Sequence, residues 1–213
     1  MLAPLTVLAA AMVPAVALAG SSTTTVALSA PESAYGQSVT ATATVAASSG
    51  AAEGDVVFSV DGLARKVNLG ANGTATLVLP RATVGEHSIS ATYVPFPASD
   101  QGSASPIQRW VVSQVRTRLQ VRVIGRGARI PTSVQVSASG EYGTRPTGRV
   151  KVVVRRIGTR DSTRVVTRLS TTGGALAALG RLDQGHYRLA VTYVGDSQHL
   201  RETSSGTFYV RRR

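Results

Sequence analysis

Leu182-Asp183-Gln184-Gly185-His186-Tyr187-Arg188-Leu189-Ala190-Val191-Thr192-Tyr193 reads as a turn that feeds a strand. Asp183 and Gly185 supply the corner. Tyr187, Leu189, Val191 and Tyr193 recur at every second residue and so share one face of an extended chain, while His186, Arg188, Ala190 and Thr192 take the other. One hundred residues earlier the chain repeats itself, with Gly85, His87, Ile89, Ala91 and Tyr93 in the places of Gly185, Tyr187, Leu189, Val191 and Tyr193. The sequence therefore reads as two copies of one β-domain.

The rest of the chain fits that reading. In the first copy, strands are expected at Thr23 to Ser29, Gln37 to Ala46, Asp55 to Val60, Ala64 to Leu69, Thr74 to Leu79, Glu86 to Val94 and Ile107 to Val112. Pro31-Glu32-Ser33, Ser48-Ser49-Gly50, Asp61-Gly62 and Asn72-Gly73 mark turns between them. In the second copy they are expected at Thr117 to Val123, Pro131 to Ser139, Arg149 to Arg156, Ser162 to Ser170, Ala175 to Leu179, the opening stretch, and Thr207 to Arg211. Seven short strands with a turn every 8 to 12 residues are the pattern of a β-sandwich, because each half-buried sheet needs a second to cover its apolar face. The join, Val112-Ser113-Gln114-Val115, has no Gly or Pro run and is expected to be semi-rigid.

Length and composition are consistent with two domains, 20–113 and 114–213, each large enough to bury a core. Residues 1–19 carry no charge and end in Ala17-Leu18-Ala19, the pattern of a cleaved signal peptide. The competing reading is a retained membrane helix, which Pro4, Pro14 and the short length oppose; no Lys or Arg precedes the apolar run. The chain has no cysteine, which excludes disulfides, thiolate metal sites and a Cys nucleophile. The net charge of +12 is unevenly placed: residues 20–113 hold four Lys or Arg against six acids, and residues 114–213 hold nineteen against five.

The residues Ala34-Tyr35-Gly36-Gln37-Ser38-Val39-Thr40, Gly54-Asp55-Val56-Val57-Phe58, Asn72-Gly73-Thr74-Ala75-Thr76-Leu77 and Gly85 to Tyr93 resemble the bacterial immunoglobulin-like repeat family of the Ig-like domain 3 type. Pro146-Thr147-Gly148 and Gly185 to Asp196 carry the resemblance in the second copy. It implies two tandem Ig-like β-sandwiches of about seven antiparallel strands each, and a surface or extracellular spacer, adhesion and binding module. Asp183, Gly185 and Tyr187 are similar to the immunoglobulin D-x-G-x-Y-x-C signature, with Leu189 in place of the cysteine. Tyr187 is thus a candidate tyrosine corner, with His87 in its place in the first copy. Ala138 facing Leu189, and Ala43 facing Ile89, are expected to replace the disulfide by apolar contact. Tyr93 and Tyr193 are expected to be structural. Pro95-Phe96-Pro97 and Arg126 to Ile130 depart from the pattern.

Enzyme signatures are missing: there is no G-x-S-x-G elbow, phosphate-binding glycine loop or H-E-x-x-H, so no catalytic, cofactor-binding or metal-ligating residue is assigned. His87, His186 and His199 read as structural. Asp55, Asp61, Asp100 and Asp196 read as turn residues rather than Ca²⁺ ligands, and Asn72 as a hairpin residue before a glycosylated one. Trp110 reads as packed into the core or against the second domain rather than stacked on a sugar.

The bases of the second copy are weighed as a docking surface for an anionic cell-wall polymer, acidic polysaccharide or nucleic acid. Alternation turns Arg118 and Arg122 outward on one strand, Arg149, Lys151 and Arg155 on another, Arg164 and Arg168 on the next, and Arg188 on the long one. A sandwich divides its strands between two sheets, so the charge is expected to be spread over both outer faces. The competing reading is a solvated surface, and stacking aromatics are not interleaved with the bases.

Overall fold

The computed structural model describes residues 20–48, 50–96 and 101–212. The expected leader at 1–19, together with Pro97 and Asp100, lies outside the described residues.

Strands β1 (Ser22–Leu28), β2 (Glu32–Ala34), β3 (Thr40–Ala47), β4 (Gly54–Val60), β5 (Leu63–Asn68), β6 (Thr74–Val78), β7 (Gly85–Pro95), β8 (Ser103–Ala104) and β9 (Gln108–Ser113) form two sheets. One has the order β1-β3-β6; the other has the order β2-β9-β7-β4-β5, with β8 beside β7. Then follow β10 (Thr117–Ile124), β11 (Thr132–Gly140), β12 (Arg149–Arg156), β13 (Ser162–Arg168), β14 (Gly174–Gly180), β15 (Gly185–Tyr193) and β16 (Glu202–Val210). They repeat the arrangement as β10-β11-β14 and β13-β12-β15-β16. Nearly all pairs are antiparallel, as short turns dictate.

Period-two alternation explains the two cores. In β15 the odd residues Tyr187, Leu189, Val191 and Tyr193 are buried, and the even ones point out. They join Val134, Val136 and Ala138 from β11 and Val150, Val152 and Val154 from β12 in one cluster. The other cluster gathers Val39, Ala41, Ala43, Val56, Phe58, Ile89, Ala91, Tyr93 and Trp110. Ala138 and Leu189 are both buried in the second core, and Ala43 and Ile89 in the first. Trp110 is 2% exposed and donates its indole N–H to Ser33 Oγ at 2.9 Å, the partner a buried indole needs.

Four details differ from the sequence reading. Pro31-Glu32-Ser33 leads into a strand rather than forming only a turn: Glu32–Ala34 pairs in parallel with Val111 to Ser113. Ser103–Ala104 adds a two-residue strand beside Thr92 and Tyr93. The last strand begins at Glu202 rather than Thr207, because nine residues pair with β15 from Tyr193 back to Gly185. Glu141–Gly143 forms a single 3₁₀ turn, with Tyr142 at φ 52.

Candidate functional site

The basic residues are not spread evenly. Arg118 and Arg122 lie on β10, exposed on the three-stranded sheet. Arg149, Lys151 and Arg155 on β12, Arg164 and Arg168 on β13, and Arg188 on β15 all project from the outer face of β13-β12-β15-β16. Both outer faces thus carry charge, but unequally: six of the eight share one surface and two lie on the other. Alternation assigns a residue to a side of its strand; only the pairing of β12 with both β13 and β15 puts the three strands in one sheet.

The register arranges this face in rows that cross the strands. One row runs Lys151, Thr192, Thr203; the next Val153, Ala190, Ser205; the third Arg155, Arg188, Thr207. The middle row is short and the outer rows are long, so a trough of about 510 Å³ lies across the sheet. Arg149 stands directly opposite Arg168, and Arg155 opposite Arg188. Like charges in these positions are destabilising. Among the described residues none of the six bases is ion-paired, and the salt bridge of this sheet, Arg156 with Asp183 at 3.7 Å, involves a neighbouring arginine. No outward position on these four strands is an Asp or Glu.

The tyrosines and histidines hold corners. Tyr187 donates its hydroxyl to Asp183 O at 2.9 Å, four residues back, and burial pushes its phenol up. His87 makes the same reach: Nε2 lies 2.8 Å from Thr83 O while Nδ1 lies 2.7 Å from Asp61 Oδ2. Burial alone would lower the His87 imidazole, but the Asp61 carboxylate and the Thr83 carbonyl outweigh it and raise it. Ser88 turns its N–H and hydroxyl to Asp61, not to His87. A serine, a histidine and an aspartate thus adjoin without the Ser–His contact that nucleophilic catalysis needs. Tyr93 donates to Glu53 O at 2.7 Å. His186 lies against Tyr209, with ring centroids 4.6 Å apart.

A second cluster, not singled out from the sequence, joins the two halves. Asp196 accepts hydrogen bonds from the amides of Thr147, Gln198 and His199, each at 2.8 Å, and meets His199 Nδ1 at 2.9 Å. Burial alone would raise its carboxyl, but these amides, with Tyr193 and His199, hold it well below the usual carboxylate range. The Tyr193 hydroxyl, buried against this carboxylate without a hydrogen bond of ordinary geometry, is pushed far up by burial and by the charge. His199, 2% exposed, reaches Thr144 Oγ1 at 3.0 Å and packs edge-on against Tyr35 of the first half at 5.6 Å. Val84 donates its amide to Gln198 Oε1 at 2.7 Å, and Gln114 Nε2 donates to Asp196 O at 2.9 Å. Gly36, at φ +88, lies so close to Thr144 that a Cβ there would collide, with Tyr142 in contact beside it. The sequence signal for this joint was the Tyr35-Gly36 pair beside an Asp-x-x-His loop, two segments that only the fold brings together.

Among the described residues no three His, Cys, Asp or Glu side chains are placed to hold a metal ion, and no helix is long and apolar enough to cross a membrane.

Several solved structures are similar to this chain. Invasin, described as a bacterial integrin-binding protein, is similar with a TM-score of 0.57 and 18% identity; the match covers 89% of this chain and 39% of invasin. A two-domain fibronectin type III segment of chicken tenascin matches with a TM-score of 0.40 and 12% identity, covering 80% of this chain and 91% of the segment. The Yersinia pseudotuberculosis adhesin InvE matches with a TM-score of 0.38 and 16% identity, covering 87% of this chain and 58% of the adhesin. No curated protein matches the sequence. Residues 24–113 match the family model of the bacterial Ig-like domain, group 3. The two-sheet sandwich built by the first half fits the match of its residues 24–113 to the bacterial Ig-like domain, group 3.

Proposed function

We propose that the chain is an exported, non-enzymatic segment of a cell-surface or extracellular protein that spaces and presents a binding surface. In this reading residues 1–19 are a cleaved signal peptide, and 20–113 and 114–213 are two domains held as one stiff rod. The joint carries the proposal: Tyr35, Gly36 and Val84 dock on Thr144, Gln198 and His199, direct contacts between the halves on either side of a short linker that has no Gly or Pro run. The fold likeness to invasin, an integrin-binding protein by its description, supports a role at the cell surface.

Two measurements test it. Expressed in a bacterial host, the full chain should appear outside the cytoplasm with the mass of residues 20–213. In small-angle scattering it should behave as one elongated particle of fixed length. Retention of the leader inside the cell, or a profile of two domains swinging freely, overturns the reading.

A second reading, docking on a polyanion through residues 114–213, is favoured by one observation: six unpaired bases lie on a single sheet face.

A further inference from the structure

One loop end of the second half is largely taken up by the joint, since the 196–201 loop and Thr144 are engaged there. The opposite loop end and the sheet faces are left for a ligand of this half. The trough over β12, β15 and β16 has the features of such a site. Its walls rise from Lys151 on one side and from Arg155 and Arg188 on the other, and its floor is low because Val153 and Ala190 are short. The walls are four residues apart along a strand, roughly 13 Å at about 3.3 Å per residue, enough for one sugar ring with its substituents. Hydroxyls of Thr192, Ser205 and Thr207 line the β15 and β16 side.

The geometry points to a carboxylate-bearing polysaccharide, a polyuronate strand, as the ligand of this trough. The inference rests on the binding-module reading above and names its partner. Three features select this chemistry. Two of the three bases that line the trough, Arg155 and Arg188, are arginines, whose planar fork takes a carboxylate by two parallel hydrogen bonds. The hydroxyl row matches a ligand rich in hydroxyls, as a sugar chain is. No tryptophan, tyrosine or phenylalanine lines the trough, so the stacking platform that single-stranded nucleic acid uses is missing. The opposed pair Arg155–Arg188 repels in the free protein, and a carboxylate seated between them relieves that repulsion.

The test is titration of the two-domain chain with oligogalacturonate at about 150 mM salt, with neutral dextran, polyphosphate and DNA as comparisons. Oligogalacturonate is expected to bind, dextran not to bind, and polyphosphate and DNA to bind more weakly. Arg155→Gln with Arg188→Gln should weaken binding by about tenfold or more, whereas Arg118→Gln with Arg122→Gln, the same charge change on the other sheet, should leave it within about twofold. Ala190→Leu fills the floor without changing charge and should weaken binding about tenfold while the melting temperature holds. Equal weakening by both arginine pairs, no effect of Ala190→Leu, or tighter binding of DNA or polyphosphate overturns the trough and leaves a diffuse cationic surface. No binding of any polyanion also overturns it, while the scattering measurement judges the spacer reading separately.

Discussion

At the scale of single residues, the two corners make the same structural join with different chemistry. Tyr187 closes its corner with a neutral hydroxyl donated to Asp183 O, and its ring stacks on Phe208 at 5.4 Å. Tyr187→Phe keeps the ring and removes the donor, so the second half should lose about 1 kcal/mol of stability, read by denaturant titration. His87 bonds to two acceptors, a carboxylate and a carbonyl, which is satisfied fully only when both ring nitrogens carry protons. Its folded value is raised above the ordinary 6.5. The stability this contributes is fully present below that ordinary value and is lost as pH rises through the raised one. A melting series from acid to alkaline pH should show the first half weakening across that window, and Asp61→Asn should flatten the dependence. An unaltered slope in that variant would sink the assignment.

At the scale of elements, one turn recurs in both halves with the same bonds. Gly70 N–H donates to Thr74 O and Val45 N–H to Gly73 O; Ser170 N–H donates to Gly174 O and Ala138 N–H to Gly173 O. Gly73 and Gly173 sit at φ +72 and +81, and a Cβ on either would press on the carbonyl of the neighbouring strand. Gly173→Ala should cost about 1–3 kcal/mol through left-handed backbone and this collision, measured by thermal unfolding. These turns, and the alternating strands they join, are legible in the sequence because Gly-rich corners and period-two patterns are local. Glu32–Ala34 was not legible, since three residues after a proline are too few to show a period. The sheet to which each strand belongs was not legible either. Arg118 and Arg149 alternate alike, and only the pairing of β12 with β15 separates their faces.

At the scale of the whole molecule, the proposed rod rests on a few contacts more than 100 residues apart in sequence, such as Val84 with Gln198, which no local pattern announces. Gly36→Val places a branched side chain where Thr144 and Tyr142 already sit, on backbone that favours glycine. Its expected result is a chain that still unfolds at a nearly unchanged temperature in its second half but scatters as a hinged pair. A scattering profile identical to the parent's would show that Tyr35 and Gln198 hold the angle without it.

The parallel pairing of Glu32–Ala34 with Val111 to Ser113 has a mechanical consequence. When the two ends of the first sandwich are pulled apart, the force passes through β1 to this parallel pair and loads it lengthwise, so its hydrogen bonds share the force together instead of opening one after another. The second sandwich has a shorter version of this clamp, an isolated parallel bridge between Gly127 and Arg211 with Ala128 N–H donating to Arg211 O at 2.8 Å. Under tension the second sandwich should yield first and the first should need the larger force, two rupture steps that a single-molecule pulling trace would separate. A protein anchored at one end and gripped at the other would then lengthen in stages, giving up the basic sandwich while the other stays folded.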